Sequence, residues 1–163
     1  MNGLGIKPED RIILTEEVEV VINNAASVNF NDPIHDALNI NYFGSLRMQD
    51  LARECKNLIC MVHVSSTFVN CNQPGNKVVP EALAECKVDT ESYINKILSM
   101  NPQQLEVETP SVLSAFGFPN TYTFSKHMAE HMLKKRAGNM KLSIVRPSSI
   151  LGCAKEPIIG WVD

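Results

Sequence analysis

Three short apolar runs, each ending in small polar residues and separated by helical sequence, restrict this chain to one class of fold. They are Glu17 to Asn24 (EVEVVINN), Leu58 to Val64 (LICMVHV) and Leu142 to Arg146 (LSIVR). Rich in Val and Ile, they read as strands covered on both faces, as in a parallel sheet. Between the first two, Asp32-Pro33 opens a helix, with Pro33 suited to its first turn. Apolar residues at Ile34, Ala37, Leu38, Tyr42, Leu46 and Leu51 carry that helix to about Cys55. Between the last two lie a turn cluster from Asn70 to Gly75 and a short extended piece, Lys77 to Pro80. Two helices follow, Thr90 to Met100 and Ser111 to Phe116, separated by Pro102 and Pro110. A third helix runs from Tyr122 to about Ala137, with Gly138 as its stop and Lys134, Lys135 and Arg136 complementing its dipole. Strand, helix, strand, insert, helix, strand is the alternation of a parallel α/β domain.

The 163 residues suffice for one domain with a core. Fifteen Lys and Arg against eighteen Asp and Glu give a net charge of −3, which excludes the clustered basic excess of a nucleic-acid binder. The longest apolar stretch, Leu58 to Val62, is too short to cross a membrane, and the opening MNGLGIKPEDR has no signal-peptide core. Cys55, Cys60, Cys71, Cys86 and Cys153 are odd in number, with no Cys-x-x-Cys pair. They read as reduced thiols of an intracellular protein and exclude a disulfide framework or zinc ribbon.

Polar clusters lie just past each strand: Asn24-Ala25-Ala26, Ser65-Ser66-Thr67 and Pro147-Ser148-Ser149. That edge of an open α/β sheet is where ligands bind. Tyr122 and Lys126, at i and i+4, share one face of a helix. A phenol with an ordinary pKa of about 10 is a poor acid near neutrality, and a nearby ammonium brings that value down. An opposing serine hydroxyl then holds a carbonyl oxygen while the tyrosine supplies the proton.

The blocks NNAASVNF, NINYFGSL, HVSSTFVN, PNTYTFSKHMAE and SIVRPSSILG together resemble the extended short-chain dehydrogenase/reductases, and among them the fatty acyl-CoA reductases of the male-sterility type. The similarity runs from about Val18 to Asp163. It implies a partial Rossmann-type doubly wound parallel sheet over residues 1–163, NADPH as cofactor, and reduction of a fatty acyl-CoA to the alcohol through the aldehyde. By resemblance Tyr122 is the general acid, Lys126 tunes it and bonds the nicotinamide ribose, and Ser66 polarises the carbonyl, with Ser65 as the alternate. Asn24, Ala25 and Ala26 line the dinucleotide, Asn41 supports the lysine side of the proton relay, and Pro147, Ser148 and Ser149 lie at the nicotinamide end. A peroxisomal or endoplasmic-reticulum membrane surface is implied in the same way.

One part of the family pattern is missing. No Gly-x-x-Gly-x-x-Gly follows a strand, since Gly3 and Gly5 precede none. Roughly 60 residues, two βα units, are therefore expected before Val18, making this a fragment with its first strand at an exposed edge. Two other readings stand: a related enzyme acting on a different carbonyl, and a non-catalytic subunit pairing through that edge. His127-Met128-Ala129-Glu130-His131 has the spacing of a zinc-peptidase helix, but no third ligand follows. It reads as two partly solvated histidines, with no metal expected. His63 reads as a hydrogen-bonded core histidine, Cys60 as a small core residue, and Trp161 and the phenylalanines as packing. Asn41 reads equally as a helical asparagine bonded to backbone.

Overall fold

A computed structural model describes residues 4–75, 78–86 and 88–162. Helix α1 (Pro8–Glu17) precedes β1 (Val20–Asn23). A continuous helical run follows: α2 (Ile34–Ala37), a π-helical segment (Leu38–Phe43) and α3 (Gly44–Glu54). Then come β2 (Cys60–Val64), a 3₁₀ turn (Thr67–Asn70), α4 (Thr90–Leu98), α5 (Pro102–Phe116), α6 (Thr121–Arg136) and β3 (Leu142–Val145). The three strands are parallel, in the order β1-β2-β3. The α/β class and the parallel sheet are as the sequence predicts.

Among the described residues, helices cover one face of the sheet. Each crossover advances one place in the same direction, and parallel crossovers share one hand, so both sets of helices fall on the same side. Val21, Met61 and Leu142 pair across the sheet and point into the core, as do Asn23, His63 and Ile144. On the opposite face Val20 is 45% and Ile22 64% exposed. Cys60, expected in the core, belongs to that open face and is half-buried.

Each apolar position named in the helical run after Pro33 is buried. Pro33 itself is the N-cap, one place earlier than expected. Helix α6 is the centre of the packing. Its residues from Thr123 to Glu130 are all buried, together with Thr121, Met132 and Leu133. Ile94 and Ile97 of α4 and Leu105 and Val112 of α5 pack into the same core.

Four local expectations are corrected. The first strand begins at Val20, because Glu17 ends α1, a helix with no buried residue and hence no apolar stripe to announce it. Pro110 does not break the second insert helix but lies inside α5. Both Pro110 and Glu106, whose carbonyl loses its intrahelical partner, are exposed, so that carbonyl need not be buried unpaired. Val78 to Pro80 forms no strand, while Lys77 lies outside the described residues, as do Gly3 and Asp163. Trp161 is 48% exposed on a tail folded back on itself through backbone bonds joining Cys153 to Gly160 and Trp161. Phe30 and Phe68 are likewise exposed, whereas Phe118 and Phe124 are core residues.

One ion pair ties α6 to the end of β3. The buried carboxylate of Glu130 accepts from Arg146 Nε at 3.0 Å and Nη2 at 2.7 Å, and Arg146 Nη1 donates to the Ala82 carbonyl at 3.1 Å. Removing the cation leaves an uncompensated buried charge. Arg146→Ala should lower the unfolding free energy by about 3 kcal/mol in urea denaturation; a loss below about 1 kcal/mol would show that the pair does not hold these elements together.

Candidate active site

The three polar clusters lie side by side because the strands that end in them are parallel and adjacent. Ser65 N donates to the Val145 carbonyl at 2.7 Å, and Thr67 N donates to the Pro147 carbonyl at 3.0 Å. The end of β2 is thereby fastened to the segment that leads into Ser148 and Ser149. Those two serines are exposed and Pro147 is half-buried. Beyond β1, Asn24 and Ala25 are exposed and Ala26 is half-buried.

Ser66 is buried in extended backbone, and its Oγ accepts from Phe68 N at 3.2 Å, capping the 3₁₀ turn. The hydroxyl proton remains available to an incoming acceptor. Ser65 Oγ is buried with no hydrogen-bond partner among the described residues.

Helix α6 brings its side chains to this edge. Asn120 caps the helix by accepting from Thr123 N at 2.9 Å, and Thr121 Oγ1 donates to the Asp32 carbonyl at 2.8 Å. Lys126, only 2% exposed, donates from Nζ to the Val64 carbonyl at 2.7 Å, the last residue of β2 and the one before Ser65-Ser66. Burial pushes its pKa down to about 8, opposed in part by the charge of Glu130. One turn earlier Tyr122 is half-buried, its ring tilted against Phe30 with centroids 5.5 Å apart. The fold therefore brings the lysine of the Tyr-x-x-x-Lys pair onto the end of the strand that carries the serines.

Asn41 sits in the π-helical segment. Its Oδ1 accepts from Ser27 N at 2.9 Å, and its Nδ2 donates to the Ser27 carbonyl at 3.1 Å and to Ser125 Oγ at 3.0 Å. It thus fixes the loop after β1 to α6, three residues from Tyr122 and next to Lys126. Ser125 Oγ in turn donates to the Tyr122 carbonyl at 3.0 Å.

Asn23, the last residue of β1 and the first of the small residues where the chain leaves the sheet, is buried. Its Nδ2 donates to Ser45 Oγ at 3.1 Å and approaches His63 Nδ1 at 3.1 Å. Ser45 Oγ gives its own proton to the Asn41 carbonyl at 2.7 Å, so it must accept from Asn23. The second amide proton then faces His63 Nδ1, which makes the imidazole a neutral Nε2–H tautomer. His63 is fully buried, and desolvation together with the Lys126 charge pushes its pKa down to about 3. It is the core histidine expected from the sequence. The signal for Asn23 was its parity with Val21, which turns it inward. His127 departs from expectation: it is buried rather than partly solvated, packs against Phe118 and bonds the Val69 carbonyl.

A histidine that is neutral when folded makes stability depend on pH. Between about pH 3 and pH 6.5 the unfolded chain binds a proton at His63 that the folded chain does not, so stability falls as pH falls through that window. The contribution approaches about 1.4 kcal/mol per pH unit well below pH 6.5. The difference in unfolding free energy between the wild type and His63→Gln should show this slope, and parallel pH profiles would contradict it.

The male sterility protein family matches residues 1–163. The chain is 40% identical over 161 residues to CG8306 of Drosophila melanogaster, a protein provisionally named a fatty acyl-CoA reductase. That match covers 99% of this chain and 30% of the relative. It is 33% identical over 163 residues to the fatty acyl-CoA reductase wat of the same organism, covering 100% and 31%, and 31% identical over 160 residues to fatty acyl-CoA reductase 1 of Xenopus laevis, covering 98% and 30%. The chain thus spans about a third of the length of these relatives. Among solved structures it resembles the terminal R domain of the myxalamid biosynthetic pathway (TM-score 0.62, 20% identity, 94% of this chain and 32% of that one). It also resembles RMD of Pseudomonas aeruginosa complexed with NADPH (TM-score 0.58, 16% identity, 92% and 42%). These likenesses place the fold among Rossmann-type proteins. With a family match along its whole length, the chain belongs to the male sterility protein family.

Proposed function

We propose that these residues form the catalytic part of an NADPH-dependent fatty acyl-CoA reductase, which reduces an acyl thioester to the aldehyde and the aldehyde to the alcohol. The observation that carries this reading is the Lys126–Val64 bond, which docks the Tyr122/Lys126 helix against the Ser65-Ser66 strand end. The substrate class rests on the names of the relatives.

The residues at the sheet edge suit a dinucleotide. Asn24 and Ala25 are small and exposed, Ser65 Oγ is an orphaned buried polar atom, and two of the three Nζ protons of Lys126 are not used by Val64. Asn24, Ala25, Ala26, Asn41, Ser65, Pro147, Ser148 and Ser149 would hold the cofactor together with Tyr122 and Lys126. A bound nicotinamide supplies hydride. The chain's own residues handle the oxygen: Ser66 donates its free hydroxyl proton in a hydrogen bond to the carbonyl, and Tyr122 transfers a proton to the oxygen as charge develops there. Lys126, protonated at neutral pH, supplies positive charge at the end of the strand that carries the serines. In the thioester step the new hydroxyl returns its proton to the tyrosinate as the carbon–sulfur bond breaks, and CoA leaves as the thiolate and takes a proton from solvent; once a second NADPH has replaced the spent cofactor, the aldehyde would occupy the same hydrogen bonds for its own reduction.

The test grafts residues 4–162 into wat in place of its matching third and measures NADPH-dependent turnover of a long-chain acyl-CoA. Tyr122→Phe should reduce kcat by about 10²- to 10⁴-fold, and Ser66→Ala should fall in the same range. A Tyr122→Phe hybrid within about threefold of its parent, or a parent that binds NADPH and acyl-CoA without turnover, would overturn the proposal.

A further inference from the structure

Three soft ligands converge on the second half of α6. His127 and His131 stack with ring centroids 4.6 Å apart, and Cys86 reaches them from the segment before α4. One ligand atom from each of the three residues lies within 4.8 Å of the other two. The linear sequence hides this set, because the third donor is supplied by a loop far upstream of the His-x-x-Glu-His helix.

The hydrogen bonds around the cluster leave it poised for a cation. His127 Nδ1 donates to the Val69 carbonyl at 3.2 Å, which leaves the Nε2 lone pair free; metal-binding imidazoles are oriented by such a bond. His131 Nε2 is buried with no partner among the described residues, and a buried ring nitrogen without a partner requires an explanation. Cys86 Sγ has only a weak contact, 3.8 Å to Thr90 Oγ1.

We propose that Cys86, His127 and His131 bind a zinc ion. One thiolate and two imidazoles suit Zn²⁺ and disfavour Mg²⁺ or Ca²⁺, which seek oxygen ligands. Tetrahedral bonds of about 2.0–2.3 Å need ligand atoms roughly 3.5 Å apart, so the cluster tightens by about 1 Å, with Cys86 on the loop making the adjustment. Binding releases the thiol proton of Cys86 to solvent and leaves the fourth position to water. The ion then staples the 78–86 segment to α6. Arg146 already holds that segment at the Ala82 carbonyl, so it becomes anchored to the end of β3 at Ala82 and to α6 at Cys86.

The test uses the 163-residue chain and Co²⁺ as a spectroscopic substitute. One equivalent should produce a thiolate-to-cobalt charge-transfer band with four-coordinate d–d bands, and Zn²⁺ should erase both. Cys86→Ser should remove the charge-transfer band, and His131→Gln should weaken binding by about 10- to 100-fold or more. Cys71→Ser should change neither. Excess Zn²⁺ should raise Tm in the wild type by about 4 °C or more and leave Cys86→Ser unmoved. No charge-transfer band at saturating Co²⁺, or one that persists in Cys86→Ser, would overturn the proposal.

Discussion

An ammonium group held out of water against a strand carbonyl is the constraint on which this fold's candidate site depends. Lys126 is almost wholly buried and has Val64 as its hydrogen-bond acceptor. Burying a charge is unfavourable by several kcal/mol unless the surroundings supply compensating dipoles. Here the compensation is the carbonyl at the end of β2 and the more distant carboxylate of Glu130. The bond therefore sets where α6 rests along the sheet. With α6 so placed, Lys126 lies at the end of the strand that carries the serines, and Tyr122, one turn earlier, packs its ring against Phe30. The lysine is a structural clamp and a source of positive charge through one interaction.

A second layer of polar contacts keeps that arrangement rigid. From His63 on β2, bonds pass through Asn23 at the end of β1 to Ser45 and the Asn41 carbonyl, and from the Asn41 side chain to Ser27 and Ser125. This joins two strands, the π-helical segment, the post-β1 loop and α6. Buried polar groups linked in this way specify a single packing, because displacing any one leaves its neighbours unsatisfied. The π-helical segment is what turns Asn41 toward both the loop and α6, and such segments are frequent at functional sites.

The three strands were legible because β-branched runs followed by small polar residues have few other meanings, and the helix after Pro33 was legible through its stripe. Tyr122, Lys126 and the serines were legible as a pattern, and the clamp through Val64 gives the pattern a physical basis. What escaped was set by tertiary contact. Helix α1 buries no side chain, so its composition carries no period. The π-helical segment keeps the same apolar residues buried that an uninterrupted α-helix would bury. Pro110 breaks a helix only where the lost backbone bond cannot be replaced by water, and its exposed position inside α5 meets no such limit. The Glu130–Arg146 pair and the approach of Cys86 to two histidines depend on folding that no local rule contains. Both crossovers within these residues run the same way, so the helices described here cover one face of the sheet.

The docking of Lys126 is open to direct observation. Its Cε and Nζ chemical shifts, followed by NMR through an alkaline titration and assigned by loss in Lys126→Met, report its ionisation. Burial against Val64 predicts a midpoint near pH 8. A midpoint at the ordinary lysine value of about 10.4 would mean that the ammonium is in water, and that α6 is not clamped to the serine-bearing strand end.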